Sequence, residues 1–517
     1  MKESFNNNKA IAKNTIFLYF RMMFSMIVSF YTSRIILHVL GVEDYGIYQT
    51  VGGVVGMLSF LNGALSTGTS RFLTFEMGSQ NYNKLKRTFS SVLSVHIILA
   101  IIIVLIAETA GLWFVYNKLV IPEERISAAI FAYQFSILAA IFSITQVPYT
   151  ACIISHEKMG IYAYMSIIEV TLKLLIVYML SIGDYDKLKL YSVLYFCVNC
   201  TIALFYRLYC TRKFNETHYK FIWDKEILKS VLSYSGWNLF ANSAIALANQ
   251  GSLILINLFF SPGVVAARSI ANQVNMAAYH FITNFKTAST PQIVKRYAAN
   301  DFEGSKSLVL STTKYSYYLM LILALPIFLV AEPLLKLWLG IIPPYTTIFL
   351  QLTIVTSLFQ VFDSSFYTAL YAKGRIRENA ILSPSVLFLS FPINYILFKI
   401  GCSPIILAVT LLITYAIIGL IIKPILLIRI VNYTWNDIRN VIIPCIRVTI
   451  ISIPIPIIFY LLKEEIFPND IYKLLFLTLI SVISTGLTIW HIGLNRDIRI
   501  KITNKIKKKI KAKTNKI

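Results

Sequence analysis

Residues 233–291 read SYSGWNLFANSAIALANQGSLILINLFFSPGVVAARSIANQVNMAAYHFITNFKTASTP, two apolar segments joined at Ser261-Pro262-Gly263. The second carries Arg268, Asn272, Asn275, Tyr279 and Lys286 at spacings of 4, 3, 4 and 7. At roughly 100° per residue, all five fall on one helical stripe. A stripe that polar cannot face lipid, so the pair reads as membrane-crossing helices turned towards other protein or water.

The whole chain supports that setting. Of 517 residues 57% are hydrophobic and only 14% charged, where a soluble domain carries about a quarter charged residues. Mean hydropathy is +0.67. The predicted class is an all-α polytopic membrane protein. An excess of 48 Lys and Arg over 24 Asp and Glu gives a net charge of +24. Most of these cations sit in short loops between apolar runs, a pattern explained by membrane topology, so no nucleic-acid partner is expected. The N-terminus has no short apolar core with a small-residue cleavage site, so no cleaved signal peptide is expected. The six cysteines lie mostly within apolar runs. Cys197 and Cys200 form a CxxC without a second ligand pair, and all six read as packing residues, with no metal site and no cofactor.

A crossing helix needs about 20 apolar residues. On that length we read fourteen spans, near 14–39, 46–70, 88–115, 127–154, 160–182, 189–210, 230–258, 265–288, 312–338, 344–371, 379–400, 404–430, 441–463 and 471–493. Basic clusters follow every other span: Arg71, Lys84, Lys86 and Arg87; Arg212, Lys213 and Lys220; Lys295 and Arg296; Lys373, Arg375 and Arg377. By the positive-inside rule these loops and both termini are cytoplasmic.

An internal repeat organises the spans. Asn14 opens the first and Tyr234-Ser235 the seventh; Arg71 ends the second and Pro291 the eighth, each pair about 220 residues apart. Order and spacing recur, while residue identity does not. Six spans per half make the repeats parallel: lobes at 1–215 and 216–435, two additional helices at 436–495 and a basic tail at 496–517. Isoleucines at i+4 spacing in that tail suit an amphipathic helix on an anionic leaflet or a basic segment that only fixes orientation.

Spans one, two, seven and eight are the polar ones. Arg21, Ser25 and Thr32 share a stripe on the first; Asn62, Ser66 and Thr69 align on the second; Asn238, Asn242 and Asn249 share a face of the seventh. Glycines 52, 56, 63 and 68 allow close helix contact. Arg21, Arg268 and Lys286 are cationic, and the central parts of these four spans hold no Asp or Glu. A cavity with that bias attracts an anion, and the planar fork of arginine suits phosphate. The asparagines and Tyr279 suit sugar hydroxyls or interhelical bonding equally. Glu169 and Lys173, at i and i+4, are set to neutralise each other. Asp363, near Gln360 and Tyr367, has no cation close in sequence. It is the candidate for an ion-linked or proton-linked group, the alternative being a structural partner of another span. No P-loop, catalytic motif or large extramembrane segment marks the chain as an enzyme.

The run Asn14-Thr15-Ile16-Phe17-Leu18-Tyr19-Phe20, the stretch Leu40-Gly41-Val42-Glu43-Asp44-Tyr45-Gly46-Ile47-Tyr48, and Arg71 after a glycine-rich span resemble bacterial polysaccharide flippases. These are the Wzx-type members of the multidrug/oligosaccharidyl-lipid/polysaccharide (MOP) exporter superfamily, and the likeness extends over the fourteen-span layout. The resemblance implies two six-helix lobes of the kind found in MATE proteins, facing each other in a V with alternating access. It implies a polyprenyl-diphosphate-linked oligosaccharide cargo, such as an O-antigen unit for lipopolysaccharide, moved to the outer leaflet of the cytoplasmic membrane. Membrane lipids, a polysaccharide polymerase and chain-length machinery are the implied partners. The cationic site would be Arg21, Arg268 and Lys286, with the asparagines and Tyr279 around it. The alternatives are a cation-coupled multidrug exporter of the same superfamily, which needs acidic groups in its cavity, and then a membrane-bound glycan polymerase, which needs a large external loop or catalytic acids.

Overall fold

The structure, a computed structural model, describes residues 2–78, 81–156, 158–222, 224–375, 377–462, 470–494, 496, 499–500 and 503–504; of these, the side chains of 2–20, 59, 64, 67, 78, 228, 230–235, 237, 238, 287 and 288 lie outside the description. The Asn238 side chain and most of the tail at 496–517 are therefore not described. Helix makes up 89% of the structure, with no strand among the described residues, as the composition predicts.

In chain order the helices are α1 (Lys2–Met57), α2 (Ser59–Gly78), α3 (Tyr82–Asn117), α4 (Ile126–Ser155), α5 (Met159–Leu180), α6 (Lys187–Lys213), α7 (Lys225–Ala246) and α8 (Ser252–Phe259). They continue as α9 (Pro262–Ala298), α10 (Phe302–Leu329), α11 (Ala331–Leu339), α12 (Thr346–Lys373), α13 (Arg377–Lys399), α14 (Ile406–Val431), α15 (Trp435–Leu461) and α16 (Asp470–Gly493). Among the described residues, 12 helices are long and apolar enough to cross a membrane. Two of the fourteen expected spans fall short of that standard. The span at 265–288 lies in α9, which has the length at 37 residues but is too polar along its stripe. The span at 46–70 is divided between α1 and α2 by a tight turn, with the Leu58 N–H bonded to Val55 O at 3.1 Å.

The bend that ends the first crossing is at Gly41 inside α1, where φ is 77° and ψ 168°. Positive φ there needs a residue without Cβ, which explains the glycine in the Leu40-Gly41 pair. Side chains cap several helix starts: Asn81 accepts from Lys84 N, Asp186 from Lys189 N and Asp301 from Gly304 N.

The chain forms two compact units, one of residues 1–269, 343–346 and 384–407, the other of 270–342, 347–383 and 408–517. In the first, α4 packs along α6, and Phe89 meets Tyr149 edge to face at 5.3 Å. In the second, a buried cluster from α9, α10, α12, α14 and α15 includes Ile282, Met320, Val361, Phe366, Leu427 and Val448. Here α14 approaches α12 so closely that a Cβ on Gly419 would stand 2.7 Å from the Phe359 carbonyl oxygen. That contact sets the register of Lys423, one turn further on.

Candidate functional site

Polar side chains gather inside each unit. In the first, Arg21 on α1 donates from Nη1 to Ser166 Oγ at 3.3 Å, and its guanidinium lies 5.0 Å from the Tyr162 ring centre. Both partners are on α5, where Tyr162, Ser166, Glu169 and Lys173 repeat the 4, 3, 4 spacing of a single helix face. Among the described residues, then, Arg21 meets a hydroxyl and a ring, neither of which cancels its charge. The expected Lys173–Glu169 pair is present at 2.6 Å, and Lys173 Nζ also lies 5.3 Å from the Tyr195 ring. Tyr195 continues into an aromatic group with Tyr48 and Tyr191, whose rings meet edge to face at 4.7 Å.

Beside this group is a cavity of about 310 Å³, lined by Gln49, Gly52, Gly56, Asn62, Ser136, Asn199 and Gln250, among others. A second, of about 240 Å³, shares Ser143 and Asn199 with it and reaches Ser66, Gln146 and Glu169. Asn62 thus borders open space. Asn242 instead stands over Gly63, where an added Cβ would be 3.2 Å from its Oδ1; Asn249 is exposed, and Arg268 is 5% exposed. At Gly56 an added Cβ would stand 3.5 Å from Gln250 Cδ, an ordinary contact that a side chain could make.

In the second unit several polar side chains are bonded to neighbouring helices. Asn275 accepts from Ser357 Oγ, and Tyr279 Oη donates to Ser364 Oγ at 2.8 Å and lies 3.2 Å from the Gln360 carbonyl oxygen. The stripe on α9 therefore turns these two residues to α12. Asn272 and Lys286 are half-buried. Asp363, without a cation near it in sequence, has one in space: Lys423 Nζ lies 2.8 Å from its Oδ1 and also bonds Asn379 Oδ1. Lys423 is 1% exposed and stands 5.3 Å from the Tyr367 ring. Asp363 is thus ion-paired with a residue of another span. A lone Lys before Pro424 in a long apolar run was the available sign of it.

The motif at 40–48 is built into the first unit by charge and contact. Arg125 holds Asp44 through Nε at 2.8 Å and Nη2 at 2.5 Å, and it holds Asp186 through Nη1 at 2.8 Å. Burial works against the charge on Asp186, yet the bonds from Arg125 and from the Lys189 N–H prevail and hold its carboxyl below the usual range. At Gly46 a Cβ would stand 1.9 Å from the Pro262 carbonyl oxygen, so only glycine fits. Sequence reasoning missed Tyr162, Ser166, Gln49, Asn199, Gln250 and Lys423. The repeated helical spacing on α5 was a readable signal for the first two.

Residues 11–297 match the family described as polysaccharide biosynthesis protein, and residues 239–396 match the family described as MatE. Among solved structures the chain is similar to an inward-facing MATE multidrug resistance transporter of the MOP superfamily, at 14% identity over 81% of this chain and 98% of that one, with a TM-score of 0.64. It is similar to the lipid II flippase MurJ in an inward closed conformation, at 12% identity over 92% and 98% of the two chains, with a TM-score of 0.67. It is also similar to a MOP superfamily transporter from Pyrococcus furiosus whose binding pocket is described as having reverse polarity, at 15% identity over 82% and 97%, with a TM-score of 0.58. At such identities the likeness is one of fold. No curated protein matches the chain.

Proposed function

We propose that this chain, which belongs to the polysaccharide biosynthesis protein family and has the fold of MOP-superfamily transporters, is a flippase for a polyprenyl-diphosphate-linked oligosaccharide. It moves the headgroup by alternating access from the inner to the outer leaflet of the bacterial cytoplasmic membrane, for surface polysaccharide such as O-antigen. Residues 1–215 and 216–435 act as its two lobes, both termini are cytoplasmic, and a polymerase with chain-length machinery takes up the product.

The observation that carries this reading is Arg21, a cation in a membrane span whose partners among the described residues leave its charge uncancelled. A diphosphate supplies the missing anion, and the guanidinium fork can bind it with two parallel bonds. Arg268 and Lys286 serve as further phosphate contacts, while Asn62 and the amides around the cavity meet sugar hydroxyls. An inside-negative potential assists outward movement of an anion by about 2.3 kcal/mol per charge per 100 mV.

The MatE match over 239–396 favours a second reading, a cation-coupled drug exporter. Such a transporter needs a carboxylate free to take a cation, and Asp363 is held by Lys423. Flipping of lipid-linked oligosaccharide in sealed vesicles tests the choice. Arg21→Ala and Arg268→Ala should each lose most activity at normal expression. Wild-type rates in both remove the cationic site, and drug resistance on expression supports the exporter.

A further inference from the structure

Where α4 and α6 end in the first unit, metal-ligand side chains converge that line neither cavity. Cys152 and His156 are one helical turn apart at the close of α4, Cys210 lies in the last turn of α6, and Glu216 comes from the short turn Asn215–Thr217. Glu216 Oε1 is 3.7 Å from Cys152 Sγ and 2.5 Å from His156 Nε2, and the ligand atoms of these three residues all lie within 4.8 Å of one another. Cys210 stands apart from these three, its Sγ donating to the Tyr149 carbonyl oxygen at 3.6 Å. Cys152 is 2% exposed, Cys210 0% and Glu216 8%. The His156 ring is fixed by stacking on Phe214, with centroids 3.9 Å apart.

We propose that Cys152, His156 and Glu216 form a binding site for a divalent cation of the zinc class. One sulfur, one imidazole nitrogen and one carboxylate oxygen are zinc donors that leave the fourth tetrahedral position to water, and a thiolate disfavours magnesium and calcium. Around a tetrahedral zinc with bonds of 2.0 to 2.3 Å, donors stand roughly 3.3 to 3.7 Å apart. The Cys152–Glu216 separation already has this value. The His156–Glu216 contact has to open by about 1 Å, within reach of one carboxylate rotation. Bound there, the metal fastens the end of α4 to residues 214–222, whose short turn Asn215–Thr217 also packs on α3, and so to Asp224 beyond them. That segment is held to α3 by Tyr219 with Ser94 at 3.0 Å and by Arg87 with Asp224 at 2.7 Å. The metal therefore anchors the chain entering α7, a structural role that goes beyond the cargo reading and does not depend on it.

The full chain, purified in detergent without chelator from zinc-supplemented cells, should carry about one zinc by mass spectrometry of the metal. Cys152→Ser and His156→Ala should lower that about fivefold or more, and Cys197→Ser, at an exposed cysteine outside the cluster, should leave it unchanged. Cobalt added to the stripped wild type should give tetrahedral visible bands and a thiolate charge-transfer band, the latter lost in Cys152→Ser. A monodisperse wild type with neither zinc nor cobalt bands overturns the site, as does zinc retained in both Cys152→Ser and His156→Ala. If those variants do not fold, the wild-type cobalt spectrum decides.

Discussion

In the first unit Gln49, Asn62, Asn199 and Gln250 line about 310 Å³ of open space, whereas in the second Asn275, Tyr279, Asp363 and Lys423 are bonded to side chains of neighbouring helices. Both sets are polar residues in apolar helices, and their hydrogen-bonding capacity alone does not distinguish them. A polar group with a partner on the next helix ties helices together; one that borders a void keeps its capacity for a ligand. On the proposed function, the amides and Arg21 of the first unit bind cargo, whereas the bonded residues of the second hold helices together.

The strongest way to break that contrast is Lys423→Met. It leaves Asp363 without its cation inside the unit and should cost about 3 kcal/mol or more in thermal unfolding. Combining it with Asp363→Leu should restore most of the loss, because a pair of apolar groups replaces a pair of charges. A single variant as stable as wild type would mean that Asp363 is solvated and that the second unit holds an open site.

Arg21→Ala should reduce flipping about tenfold or more with little change in the unfolding midpoint, since the loss of one charge-assisted phosphate contact is worth about 1.5 to 3 kcal/mol. Unchanged flipping would place Arg21 with the cohesive residues. Arg125→Ala, which releases Asp44 and Asp186 together, should destabilise by about 1 kcal/mol, a value discounted for partial exposure. Because the Asp186 carboxyl is held below its usual range, its stabilisation is present above the unfolded value and is lost as pH falls through the folded one. The acid sensitivity of unfolding should therefore diminish in this variant. Tyr279→Phe is the mildest test: removing the bond to Ser364 should cost about 0.6 kcal/mol, with flipping rates unaltered.

Much of the fold was readable because its determinants are local. Apolar runs of crossing length, the period of the α9 stripe and the basic loops depend only on neighbours along the chain. The same locality led to a 46–70 span where the structure turns at Leu58, because hydropathy does not register one tight turn. The motif at 40–48 was visible as a pattern, but the roles of its residues were not: Asp44 needs Arg125, 81 residues away, and Gly46 needs Pro262.

By itself, then, the sequence determined a polytopic all-α chain with its polar residues concentrated on a few helices, since burial in lipid is decided residue by residue. Tertiary structure alone decided which of those residues are satisfied. Arg21 finds Ser166 at a separation of 145 residues, Glu216 finds His156 at 60, and Lys423 finds Asp363 across the close approach at Gly419. Such partners are chosen by helix packing, which brings together side chains that periodicity can place on a face but cannot pair.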